Sequence, residues 1–105
     1  MSPPLRTYGR IKSRSLKPRQ ARLIGELLPK LAVPEEPFDP LALAPGASEA
    51  WLEAGFGAGE HLTTQAQRHP HVLLLGAEPF VNGLGACLAH IDDLGATNVR
   101  LQAGD

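Results

Sequence analysis

The chain lacks the features that mark secreted and membrane proteins. Its 105 residues include a single cysteine, Cys87, so an internal disulfide is impossible and a reducing cytoplasm is the expected compartment. The longest apolar run, residues 72–77, is far shorter than the ~20 residues of a membrane span. The basic N-terminus carries no apolar signal-peptide core. We therefore expect a small cytoplasmic protein with one modest core and no membrane contact.

Acidic and basic residues are unevenly distributed, although the net charge is only −1. Residues 1–30 carry eight basic side chains against one acid, a net charge of +7, and residues 31–105 carry two against ten, a net charge of −8. A basic arm on an acidic body favours contact with a polyanion through the arm, and the alternative is a solvated tail without a partner. The residues that we expect to contact the polyanion are Arg6, Arg10, Lys12 and Arg14.

The first 48 residues fall into three segments. Residues 1–17 are polar, basic and interrupted by proline and glycine, which is typical of a flexible arm. Leucine and isoleucine recur at helical spacing over residues 18–31, which predicts one amphipathic helix that begins at Pro18 and becomes irregular near Pro29. Residues 32–48 contain repeated prolines without a period, which indicates a linker or a surface loop.

Residues 49–105 alternate between strand and helix patterns. This alternation implies right-handed crossovers and a parallel sheet, an α/β fold of the Rossmann-like type. Three strands are too few for a complete domain, so we expect its N-terminal half, with further strands after Asp105. The first strand is expected to be buried, and the second to be central and covered on both faces. The predicted elements are strands at 50–54, 72–77 and 98–101 and helices at 60–68 and 80–94, the last ended by Gly95.

Three alternating glycines, Gly55, Gly57 and Gly59, follow the first predicted strand. Glycines at this spacing let the backbone turn sharply from strand to helix and let a ligand approach the main chain. The dinucleotide fingerprint G-x-G-x-x-G fails in both registers, because Glu60 and Leu62 occupy the positions of its third glycine. An acid at the helix entrance would also repel a pyrophosphate. A ligand with a positive centre, such as S-adenosylmethionine, suits the site better.

Acids stand at the ends of all three predicted strands, where parallel sheets bind ligands. Glu53 is placed to accept from an ammonium group, with shaping of the turn as the alternative. Glu78 is placed to accept from ribose hydroxyls, with a role at the start of the next helix as the alternative. Asp105 is placed near an adenine. The four histidines show no metal-ligand spacing, so no metal site is predicted.

Several motifs together resemble the bacterial tRNA (guanine-N7-)-methyltransferases, a family of class I S-adenosylmethionine-dependent enzymes. The glycine run is shared by many methyltransferases, whereas its combination with the Glu-Pro-Phe motif and the basic leader is much more specific. The similarity covers nearly the whole chain except the segment 32–48. The stretches that carry it are 8–10, 16–20, 51–61, 76–80, 82–83, 98–101 and 104–105.

The resemblance implies S-adenosylmethionine as the cofactor and N7 of a guanine in the tRNA variable loop as the methyl acceptor. By position, Glu53, Glu78 and Asp105 match the family's cofactor-contacting acids. The family's catalytic aspartate lies in a Pro-Asp-Pro-Trp stretch after the fourth strand, so we expect it beyond Asp105 and expect these 105 residues to be inactive alone. The other residues assigned to the cofactor site are Gly55, Phe56, Gly57, Gly59 and Pro79.

Two other interpretations stay open at this point. A nicotinamide-dependent oxidoreductase would use the same kind of strand-to-helix turn, and it would bind NADH rather than S-adenosylhomocysteine. A non-catalytic RNA-binding module would depend on the basic leader alone, so deletion of residues 1–17 would abolish its RNA binding.

Overall fold

The computed structural model describes residues 16–104, so the expectations for residues 1–15 and for Asp105 lie outside it. Within that range, no helix has both the length and the apolar character needed to cross a bilayer. The elements agree with the pattern predicted for residues 49–104, with small shifts at the boundaries. They are helices α1 (Pro18–Glu26), α2 (Leu28–Leu31), α3 (Glu60–Arg68) and α4 (Val81–Leu94), a 3₁₀-helix (Pro40–Leu43), and strands β1 (Glu49–Ala54), β2 (Val72–Glu78) and β3 (Val99–Ala103).

The three strands form one parallel sheet in the order β1-β2-β3, so α3 and α4 each connect neighbouring strands. Trp51 of β1 pairs with Leu74 of β2, which pairs with Val99 of β3. The central strand β2 is buried at six of its seven residues. The prediction of a parallel α/β sheet is therefore confirmed, and the arrangement is that of the first half of a Rossmann-like domain.

The hydrophobic core lies between one face of the sheet and the helices α3 and α4, and buried residues of α1 and α2 complete it. Leu62 of α3 and Leu84 and Leu88 of α4 are fully buried against Leu74 and Val99. Each leucine buried in this way contributes roughly 1.5–3 kcal/mol relative to an exposed one. This packing fixes the carboxyl end of the sheet relative to the start of both helices, where the site residues lie.

Helix α1 packs on α4 at Gly85 and is oriented there by ion pairs of Arg19. A Cβ on Gly85 would lie 2.9 Å from the Cβ of Gln20, so the two helices could not approach this closely with any other residue. Nη2 of Arg19 donates to Asp92 and to Asp93 at 2.7 Å each, and the bond to Asp93 lowers the pKa of that carboxyl group. Because these side chains are exposed, the ion pairs orient α1 more than they stabilise the fold.

Strand β1 differs from the prediction of a buried strand. Most of its residues are exposed, and Leu52 keeps 76% of its surface exposed. The physical reason is its place at the edge of the three-stranded sheet, with a neighbouring strand on one side only. Side chains alternate along a strand, so Leu52 lies on the sheet face opposite to Trp51 and the helices.

The segment before β1 contains two short helices followed by a surface segment. Two helices replace the single helix expected over 18–31, because Pro29 has no N–H to donate and its ring clashes with the carbonyl four residues earlier. Residues 32–48 form a surface segment bound to the sheet rather than a free linker. The N–H of Val33 donates to the carbonyl of Leu101 at 3.0 Å, and Nη2 of Arg100 donates to the carbonyl of Leu43 at 2.9 Å.

Candidate functional site

The glycine run forms a turn from β1 into α3 that requires glycine at three positions. Gly55, Gly57 and Gly59 have φ angles of +65°, +61° and +82°, which other residues rarely adopt. The turn begins where the N–H of Gly55 donates to the carbonyl of Ala77 at 2.7 Å. It ends where the N–H of Thr63 donates to the carbonyl of Gly59 at 2.9 Å in the first turn of α3. The predicted sharp strand-to-helix turn is therefore present.

Glu78, at the end of β2, binds the glycine turn directly. The residue is only 5% exposed. Oε1 accepts from the N–H of Gly57 at 2.9 Å, and Oε2 accepts from the N–H of Phe80 at 3.3 Å. Gly83 of α4 packs beneath this contact, since a Cβ there would lie 2.6 Å from the carbonyl oxygen of Gly57. A carboxylate oxygen can accept more than one hydrogen bond, so Glu78 can hold the turn and still accept from a ligand hydroxyl.

Glu53 is the second-last residue of the neighbouring strand β1 and precedes the glycine turn in the chain. Its carboxylate is partly exposed, and Oε1 lies 3.3 Å from Nδ1 of His61 in the first turn of α3. Glu60 begins α3 and adds a third acid at the N-terminal end of that helix. Three acidic side chains therefore lie near the carboxyl ends of β1 and β2, which favours a cationic ligand over a phosphate.

Phe56 and Pro79, which were also assigned to the site, differ in accessibility. The ring of Phe56 is 7% exposed and packs against Gly76, where a Cβ would lie 2.6 Å from Cδ2 of the ring. The ring is therefore part of the core, and only the backbone of Phe56 is left for contact with a ligand. Pro79 is half-buried between Glu78 and the exposed Phe80.

Cys87 supports the turn from below. It is fully buried in α4, and an added Cβ on Gly59 would overlap its Sγ. Burial raises the pKa of the Cys87 thiol to about 12, and the nearby charges of Glu53 and Glu78 add to the effect. Cys87 is therefore a core residue, and its thiol is not available as a nucleophile near neutral pH.

Asn98 is the structural residue that sequence reasoning missed. Its side-chain Nδ2 donates to the carbonyls of Ala66, His69 and Val72 at 2.9–3.1 Å. It thereby joins the end of α3, the start of β2 and the residue before β3. No local pattern around Asn98 signals this role, because its three partners lie about 30 residues away in the chain.

The other predicted site residues do not belong to the part of the chain that the structure describes. Asp105 and the basic residues Arg6, Arg10, Lys12 and Arg14 lie outside it. Among residues 16–104, no three histidine, cysteine or acidic side chains form a group that could hold a metal ion.

A glycine turn after the first parallel strand, with acids ending that strand and the next, is typical of α/β proteins that bind a nucleoside cofactor. Comparison with known proteins identifies the class as methyltransferases. A family model described as "Putative methyltransferase" matches residues 47–105, which is more than half of the chain. The chain belongs to this methyltransferase family.

Curated relatives carry a more specific name. The chain is 53% identical to the tRNA (guanine-N(7)-)-methyltransferase of Caulobacter vibrioides, over 97% of this chain and 45% of that protein. It is similar to proteins of the same name from Ruegeria sp. (46% identity, 93% of this chain, 42% of that protein) and Rhodospirillum rubrum (43%, 95% and 42%). The predicted family is therefore confirmed, and the chain spans less than half the length of these relatives.

Proposed function

We propose that the full-length protein transfers the methyl group of S-adenosylmethionine to N7 of a guanine in tRNA. The curated relatives, at 43–53% identity, are named tRNA (guanine-N(7)-)-methyltransferases. The observation that carries the proposal is the glycine turn flanked by Glu53 and Glu78 at the ends of adjacent parallel strands. We also propose that the protein is cytoplasmic.

The charges around the turn support S-adenosylmethionine rather than a dinucleotide. The N-terminal amides of α3 would attract a phosphate, but Glu60 places a carboxylate at that end. S-adenosylmethionine carries a sulfonium and an ammonium, which acids attract, and ribose hydroxyls that donate to carboxylates. Glu78 is buried and oriented by two backbone amides, as a rigid acceptor for a ribose should be.

S-adenosylmethionine, when bound, supplies an electrophilic methyl group on its sulfonium. Since N7 of guanine already carries a lone pair, the main task of the protein is to bring the two reactants into line. In this proposal Glu78 holds the ribose, Glu53 holds the ammonium end and the glycine turn allows close backbone approach. Asp105 is proposed to contact the adenine, and the residues that receive guanine are proposed to lie beyond it.

Calorimetric titration of the full-length protein with S-adenosylhomocysteine and with NADH tests the cofactor assignment. We expect S-adenosylhomocysteine to bind and NADH not to bind; binding of NADH alone would contradict the proposal and favour an oxidoreductase. Transfer of a labelled methyl group is then measured on a tRNA transcript. A transcript with the variable-loop guanine replaced by adenine is the control, and equal labelling of both would contradict guanine as the acceptor.

A further inference from the structure

His61 connects Glu53 to the body of α3. Its Nδ1 lies 3.3 Å from Oε1 of Glu53, and its Nε2 lies 3.3 Å from the side-chain Nε2 of Gln65, one helical turn further along. An amide nitrogen can only donate, so with the Gln65 amide nitrogen bonded to Nε2 of His61, it is Nδ1 that carries the hydrogen donated to Glu53. In that tautomer the hydrogen-bonded series Gln65–His61–Glu53 directs one imidazole N–H at the carboxylate.

Glu53 has little else to orient it. Its side chain keeps 32% of its surface exposed, and within residues 16–104 His61 is its one hydrogen-bonding partner. Glu78, by contrast, is buried and held by two backbone amides. A glutamate side chain loses rotamer freedom when it binds a ligand, and a bond from His61 to Oε1 removes part of that cost in advance. Oε2 is then left to accept from a ligand.

We propose that His61 is a positioning residue, which orients Glu53 toward the amino-acid end of the bound ligand. The inference rests on the proposed function, in which Glu53 holds the ammonium end of S-adenosylmethionine. It extends the site beyond the glycine run to a residue of α3 and, through Gln65, to the next turn of that helix.

Two ligands that differ only in the amino-acid arm test the proposal. S-adenosylhomocysteine carries this arm, and 5′-methylthioadenosine carries a methyl group in its place. In calorimetry on the full-length protein, we expect His61→Ala to weaken S-adenosylhomocysteine about three- to tenfold, the effect of losing one orienting hydrogen bond. The affinity for 5′-methylthioadenosine should stay unchanged, whereas a merely structural role of His61 would weaken both ligands alike.

Two conservative variants of His61 sharpen the test. Asparagine places its amide nitrogen near the position of Nδ1 and can still donate to Glu53, so H61N should retain most of the affinity. Glutamine places its amide nitrogen near the position of Nε2, toward Gln65, so H61Q should behave like His61→Ala. His71→Ala is the control, because this exposed histidine precedes β2 at the opposite end of the sheet and should leave both ligands unaffected.

The outcomes separate this inference from the proposed function. Unchanged binding of S-adenosylhomocysteine in His61→Ala, equal loss of both ligands, or equal behaviour of H61N and H61Q would overturn the role of His61 and leave the cofactor assignment standing. Failure of the unsubstituted protein to bind either ligand would instead overturn the cofactor assignment itself.

Discussion

The glycines of the turn are fixed by two kinds of constraint, which differ from residue to residue. At Gly57 the constraint is conformational, since φ is +61° and an added Cβ would meet nothing within 4 Å. At Gly59, where φ is +82°, an added Cβ would also overlap Sγ of Cys87. Alternating spacing in the sequence predicts the first constraint. The second depends on how α4 packs beneath the turn.

Alanine substitutions should separate these two constraints. Gly57→Ala is expected to lower the free energy of unfolding by about 1–2 kcal/mol, the cost of a left-handed backbone with a side chain. Gly59→Ala should cost roughly 1–3 kcal/mol more, because the buried thiol must move. Urea denaturation of the full-length protein measures both. Gly25→Ala, in an open position of α1, should be neutral or stabilising, and equal losses at Gly57 and Gly59 would contradict this account.

The thiol of Cys87 should be inert in the folded protein. Its pKa is raised to about 12, whereas an unfolded thiol titrates near ~8.5. Between these values the folded chain keeps a proton that the unfolded chain has lost. The stability contributed by the protonated thiol is therefore complete below about pH 8.5 and decreases as the pH rises toward 12. Cys87→Ala should lack this part of the alkaline decline.

Labelling with a disulfide reagent at pH 8 checks the state of Cys87 directly. We expect no reaction under native conditions and complete reaction in denaturant, with the chain carrying Cys87→Ala as the blank for other cysteines. Rapid labelling of the native protein would show that the thiol is neither buried nor protonated as described.

Among the secondary-structure elements, the end of α3 and the starts of β2 and β3 are joined by one side chain, that of Asn98. Asn98→Ala should lower the free energy of unfolding by about 1–3 kcal/mol, because carbonyls that now accept from its amide lose a partner. Asn98→Asp should cost more although its shape is similar, since a carboxylate would face three carbonyl oxygens. Chemical denaturation measures both variants. Thr97→Ala, at the exposed neighbouring position, is the control, and a loss equal to that of Asn98→Ala would contradict the role.

Local sequence patterns were sufficient to predict some elements of the fold but not others. The apolar period over α4 and the glycine that ends it, Gly95 with φ +65°, were predictable because both signals are local. The burial of β1 was not predictable in this way, because it depends on which strands pair with it in the sheet. In the site, the acids Glu53 and Glu78 were predictable from strand ends. Their bonds to His61 and to Gly57 depend on where α3 and the turn lie relative to the strands, which spacing alone does not fix.

At the scale of the whole molecule, ion pairs reduce the number of basic side chains that are free to contact a polyanion. Arg19 is bound to two acids of α4, and Arg22 lies 3.6 Å from Glu26 on its own helix. Part of the positive charge of the first 30 residues is therefore compensated inside the folded body. We propose that the polyanion contact expected of the basic arm is made with tRNA phosphates, by the basic residues that precede α1.

Replacement of Arg6, Arg10, Lys12 and Arg14 by alanine tests that contact in the full-length protein. We expect weaker tRNA binding and a salt dependence whose log–log slope is smaller by about 3, since each lost phosphate contact removes roughly 0.7–0.9. Affinity for S-adenosylhomocysteine should stay unchanged, because its proposed contacts lie at the carboxyl end of the sheet. Arg22→Ala with Lys30→Ala, two exposed basic residues of the folded body, is the control and should leave the slope unchanged. Unchanged tRNA binding at low salt would exclude the arm as the contact, and a parallel loss of S-adenosylhomocysteine binding would mean that the arm supports the fold instead.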